Sequence, residues 1–163
     1  MHGTYLIEVA HKPGIKDPLA EGLMADLKHL KARSVKKIAT SKLYRLIGQM
    51  SPAERVRVGS ELLSDPVVEE VYEGTWTPTA VPLKKGVRPK NIIVDVWFKQ
   101  GVTDAVGESV LKGLRDLDLE EIQDVRTGMR YRFTGLQDAR TAEKLALALL
   151  INPLIHDRFI HAD

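Results

Sequence analysis

The chain repeats itself at a fixed separation of 87 residues. Lys12 pairs with Lys99, Gly14 with Gly101 and Asp17 with Asp104. Leu27 pairs with Leu114, Leu30 with Leu117, Thr40 with Thr127, Tyr44 with Tyr131 and Gly48 with Gly135. Leu62-Leu63 and Leu149-Leu150, then Pro66 and Pro153, carry the register to the end of each half without a gap. These shared positions are turn glycines, turn prolines and periodic leucines, which set where elements start and stop. Whatever this chain folds into, it makes twice. The repeats span 1–73 and 92–163. Between them, 74–91 carries Pro78, Pro82 and Pro89 with Lys84, Lys85, Arg88 and Lys90, and reads as an extended basic linker.

Each repeat opens on a period-two run, Tyr5, Ile7 and Val9 in one and Ile92, Val94, Val96 and Phe98 in the other, which predicts a strand. The following Lys-x-Gly-x-x-Asp gives a tight turn at the glycine and a helix cap at Asp17 or Asp104. Leu23, Leu27 and Leu30, and then Val110, Leu114 and Leu117, recur at helical spacing. Two short strands are expected next, turning at Ser41-Lys42 in the first repeat and at Gly128 in the second. Ser51-Pro52-Ala53-Glu54 is a capping box that predicts a helix to about Ser64, and its counterpart begins near Asp138. Asp65-Pro66 and Asn152-Pro153 stop these helices, and a strand closes each repeat. The order β-α-β-β-α-β predicts an α+β fold of two ferredoxin-like repeats, paired within one chain as a pseudo-dimer.

Composition narrows the chemistry. There is no cysteine, which excludes disulfides, thiol catalysis and cysteine-bound zinc. A net charge of +2 is too balanced to argue for a nucleic-acid partner. No apolar run approaches the roughly 20 residues of a membrane span, and the N-terminus lacks a signal-peptide pattern, so a cytoplasmic protein is expected. The five histidines show no recognised metal spacing and read as surface residues. Phosphate loops, nucleophile elbows and dinucleotide fingerprints are missing, and no residues combine as acid, base and nucleophile. The expectation is a chain with no catalytic residues, no metal and no cofactor of its own. Lys12 and Lys99 stand just before a helix start, where a lysine and free N–H groups can hold an anion. Asp17 and Asp104 occupy the same helix start and compete for it, so a structural turn is the alternative. Trp97, Trp76 and Tyr72 are either a partner surface or cover for a sheet edge or for the seam between the halves.

The duplicated pattern resembles the PurS family, the small subunit of phosphoribosylformylglycinamidine (FGAM) synthase in de novo purine biosynthesis. The resemblance lies in Lys99-Gln-Gly-Val-Thr-Asp-Ala-Val-Gly-Glu-Ser-Val110 and in Ala148-Leu-Leu-Ile-Asn-Pro-Leu-Ile-His156. Lys12-Pro-Gly-Ile-Lys-Asp-Pro18 and Leu62-Leu-Ser-Asp-Pro-Val-Val68 match them in the first repeat. It implies a non-catalytic bridging subunit between a synthetase subunit (PurL), which would bind ATP and magnesium, and a glutaminase subunit (PurQ). A typical PurS chain is half as long and pairs as a homodimer, so this chain resembles a fused dimer, with further self-association open. Lys12, Asp17, Lys99, Asp104, Asn152 and His156 lie in the matching runs and are the candidate partner-binding residues. A ferredoxin-like module that senses a small molecule is the alternative reading, on fold analogy alone.

Overall fold

A computed structural model describes residues 2–74 and 90–162. The linker positions 75–89, with Trp76 and the basic Lys84, Lys85 and Arg88, lie outside the described residues. Element order is β1 (Gly3–His11), α1 (Pro18–His29), β2 (Lys37–Gly48), α2 (Pro52–Val58), β3 (Glu69–Gly74), β4 (Asn91–Phe98), α3 (Ala105–Asp116), β5 (Ile122–Thr134), α4 (Ala139–Leu149) and β6 (His156–Ala162). A π-helical turn, Gly59–Leu63, prolongs α2 almost to the expected Ser64. The α+β class and the ferredoxin-like duplication hold.

The helix starts follow from local chemistry. Asp17, Ser51, Asp104 and Asp138 each accept the N–H three residues on, which satisfies one of the donors that a helix start leaves open. Pro18 and Pro52 stand in the first turn, where the missing N–H is no loss. Gly14 and Gly101 hold φ of 82° and 86°, as the tight turn requires.

The middle of each repeat corrects the sequence reading. The expected turns at Ser41-Lys42 and Gly128 are absent, and β2 and β5 are single strands of 12 and 13 residues. Ser41 is buried, with its hydroxyl donating to Glu8 at 2.6 Å, so it lacks the solvent exposure of a turn. Gly128 does not adopt positive φ. The two short strands exist, but they run in line.

The strands form one antiparallel six-stranded sheet in the order β3-β1-β2-β5-β4-β6. Tyr5 stands opposite Leu46 and Val9 opposite Val71, while Ile92 pairs with Ala162 and Phe98 with His156. The chain divides into two compact units, and each draws on both repeats. Among the described residues, the first holds 2–15, 41–74 and 100–128, and the second holds 16–40, 90–99 and 129–162. In the first unit Val110 and Leu114 of α3 pack with Val58 and Leu63 against Ile7, Val9, Tyr44 and Leu46. In the second, Ala20, Leu23 and Leu27 of α1 pack with Ala142 and Ala146 of α4 against Ile92, Val94, Tyr131 and Phe133. Each core is thus two helices on one sheet face, with one helix supplied by the other repeat. Burying a leucine such as Leu27 or Leu114 contributes about 1.5–3 kcal/mol, so these exchanged helices hold their places through packing.

Gly48 and Gly135 mark where backbones meet. A Cβ on Gly48 would lie 2.1 Å from the Glu121 carbonyl oxygen, and one on Gly135 would lie 2.2 Å from that of Ser34. Their φ angles, 150° and 102°, also favour glycine. Among the described residues, no helix is long and apolar enough to cross a membrane.

Candidate interaction surface

The carboxylates expected to face a partner are committed to the fold. In the second unit, Asp17 accepts the Ala20 N–H at 3.0 Å, the Thr40 N–H at 2.8 Å and the Thr40 hydroxyl at 2.9 Å. In the first unit, Asp104 accepts the Gly107 N–H at 2.8 Å, the Thr127 N–H at 2.6 Å and the Thr127 hydroxyl at 2.8 Å. Each aspartate ties a helix start to a strand, which accounts for the repeated Asp–Thr pair. Asp17 is half-buried, whereas Asp104 is 4% exposed.

The other repeated turn precedes the last strand of each repeat. In the first unit, Asp65 accepts the Val67 N–H through its side chain at 3.0 Å and the Glu69 N–H through its carbonyl at 2.8 Å. The Glu69 carboxylate returns to the Asp65 N–H at 2.9 Å. In the second unit, Asn152 accepts the Leu154 N–H at 3.0 Å and the His156 N–H at 2.9 Å. His156 Nδ1 returns to the Asn152 N–H at 3.1 Å, which sets the ring proton on Nε2. The His156 ring also rests against Phe98, with centroids 5.2 Å apart.

The two lysines dock these turns through the backbone. Lys12 N–H donates to Val68 O at 2.9 Å, and Lys99 N–H to Ile155 O at 2.8 Å. Lys12 Nζ adds a bond to Pro66 O at 2.6 Å. Lys99, Asn152 and His156 therefore come together in the second unit, and Lys12 joins Asp65–Glu69 in the first. Asp17 and Asp104 belong to the helix starts instead.

What these turns present is apolar. Val67 is 79% exposed and Leu154 is 83% exposed, the two most exposed large apolar side chains described. They occupy equivalent positions in the two repeats. Leu19 and Val106, also equivalent, are exposed on the first turns of α1 and α3. Turns fixed by side-chain hydrogen bonds that hold apolar groups in water suit contact with a protein partner. Tyr72 is exposed as well, whereas Trp97 is buried and presents no surface.

Sequence reasoning missed a buried ionic cluster in the second unit. Asp95 accepts two bonds from Arg130, at 2.7 and 2.8 Å, and one from His161 Nε2 at 3.1 Å. Burial pushes the Asp95 carboxyl up, but hydrogen bonds and charge from Arg130 and His161 outweigh that and hold it below the ordinary carboxylate range. His161, expected at the surface, is thus partly buried against an acid. The available signal was an aspartate amid the apolar run Ile92-Ile-Val-Asp-Val-Trp97. Among the described residues no His/Asp/Glu group is placed to hold a metal ion.

No curated protein matches the chain by sequence. The family model PurS, described as phosphoribosylformylglycinamidine (FGAM) synthase, matches twice, over residues 4–74 and 91–162. The two matched segments are the two repeats read from the 87-residue register. They cover most of the chain, which therefore belongs to the PurS family, in tandem duplication, and with it to FGAM synthase and purine biosynthesis.

Proposed function

We propose that this chain is the non-catalytic bridging subunit of FGAM synthase. It joins the synthetase subunit (PurL) to the glutaminase subunit (PurQ), so that ammonia released from glutamine amidates formylglycinamide ribonucleotide. ATP and magnesium belong to the synthetase on this reading, and the assembly works in the cytoplasm.

The observation that carries the reading is the pair of apolar tips, Val67 and Leu154, held in water by matching turns. Two equivalent apolar side chains held out on fixed turns are available for a partner to cover. Because the two repeats differ in sequence around these tips, each can suit a different subunit, which an identical pair cannot do. Lys12, Lys99, Asn152 and His156 support the tips, and Asp17 and Asp104 fix the helix starts.

Light scattering coupled to size exclusion tests this with purified subunits. The synthetase and glutaminase should co-elute only when this chain is added. Val67→Asp and Leu154→Asp should each weaken a different binary contact while leaving the unfolding midpoint unchanged. Co-elution of the two subunits without this chain, or failure to form any complex with it, overturns the reading.

A further inference from the structure

The first unit carries an open groove of about 520 Å³. Its walls come from three stretches of chain: the start of β1, the link from β2 to α2, and the link from α3 to β5. Tyr5, Met50 and Leu119 supply apolar surface, and Glu54, Asp118 and Glu121 supply carboxylates. The Tyr5 hydroxyl lies 3.2 Å from both the N and the O of Met50, which fixes one wall against the link.

The charge of this groove is open to an outside cation. Glu54 is tied to the Ser51 N–H at 2.6 Å, and that bond, with the Ser51 hydroxyl, keeps its carboxyl below the ordinary range. The carboxylates of Asp118 and Glu121 have no hydrogen-bond or ion-pair partner among the described residues. The nearby Arg55, 5.1 Å over the Tyr5 ring, pairs with Glu73 at 3.0 Å and donates to the Met50 carbonyl at 3.2 Å, so its charge is not spent on Asp118 or Glu121.

Carboxylates beside an aromatic ring, a methionine and a leucine fit one kind of occupant well. A lysine or arginine side chain lays its aliphatic stem on apolar surface and gives its charged end to acids. The equivalent positions in the second unit lack this chemistry. Thr141 stands for Glu54, Lys31 for Asp118 and Ser34 for Glu121, while Ile92 replaces Tyr5. One copy is therefore complementary to a cation and the other is not.

We propose that this groove receives a lysine- or arginine-bearing segment of one of the two partner subunits, and so distinguishes the faces of the duplicated chain. The proposal rests on the bridging reading and names the chemistry of one of its contacts.

The test replaces two acids with the residues the other repeat already uses. Asp118 holds φ of 61° and Lys31 holds φ of 56°, so Asp118→Lys suits its backbone. Glu121→Ser completes the exchange. Affinity for each purified subunit is measured by calorimetry at two salt concentrations, for wild type and the double variant, with Lys31→Asp as a control in the other repeat. The double variant should bind one subunit at least tenfold more weakly and with a shallower salt dependence. Its affinity for the other subunit should be unchanged, and the control should match wild type. Unchanged affinity for both subunits overturns the groove and leaves bridging intact, and equal weakening of both overturns the assignment to one partner. If wild type binds neither subunit, the bridging reading falls and the groove proposal falls with it. A change in self-association of the variant alone, read by sedimentation, would assign the groove to a second copy and overturn the proposal.

Discussion

The helix-start locks of the two units are nearly the same, and the acids on their strands are not. Asp17 and Asp104 bind a backbone N–H of their helix and both donors of a threonine, with equivalent distances agreeing to about 0.2 Å. Glu8 and Asp95 also occupy equivalent positions, and both are buried. Yet Glu8 accepts a serine hydroxyl, while Asp95 accepts a bidentate arginine and a histidine. The lesson lies in the donors. A lock made largely with backbone N–H groups survives changes in the surrounding side chains, because any residue supplies an N–H. A cluster made of side chains changes with each partner residue.

That contrast can be broken experimentally, and the ionic cluster should give the largest effect. Arg130→Met leaves Asp95 buried without its bidentate partner, at a cost on the order of 3–5 kcal/mol, read from urea unfolding. A loss within error of zero would show that the cluster does not hold the second unit together.

The locks come next. Asp104→Ala removes a cap and strands the buried donors of Thr127, and should cost about 3 kcal/mol. Asp17→Ala, at a half-buried site, should cost about half as much by the same principles. Equal unfolding midpoints for the two variants would contradict the role given to burial. Asp104 is for this reason a poor place to probe partner binding, because changing it disturbs the fold first.

A smaller effect sharpens the comparison of the helices. A Cβ on Gly107 would lie 2.5 Å from the Val125 carbonyl oxygen, whereas its counterpart Ala20 carries one in the other unit. Gly107→Ala should therefore destabilise by about 1–3 kcal/mol, although alanine is the better helix former. A stabilised variant in thermal unfolding would mean that α3 and α1 sit alike on their strands.

The smallest effect is in acid. Asp95 has a folded pKa below its ordinary 3.8, so its stabilisation is present above that value and is lost as pH falls through the folded one. The stability difference between wild type and Asp95→Asn should accordingly shrink below pH 3.8. A difference that stayed constant across that range would show that Asp95 does not titrate with folding.

The parts of this fold legible in the sequence were those set by neighbours along the chain. Asp17, Ser51, Asp104 and Asp138 cap within three residues, and Asp65-Pro66 and Asn152-Pro153 close turns within four. The long strands were harder, because a pattern interrupted at Ser41-Lys42 reads equally as a hairpin or as one strand passing between units. The exchange of α1 and α3 left no local mark, since Leu27 and Leu114 show only that a helix has an apolar face. His161 meets Asp95 across 66 residues, beyond the reach of spacing rules. At the proposed interaction surface, Lys12, Lys99, Asn152 and His156 stood out in the sequence as turn residues. The apolar tips they support became visible only with the folded structure.

Reconstituted catalysis tests the central claim most directly. Synthetase and glutaminase are assayed for amidine formation with and without this chain, first with glutamine and then with ammonium. The account predicts that glutamine-dependent activity requires the chain and that ammonium-dependent activity does not. Full glutamine-dependent activity without the chain would contradict it.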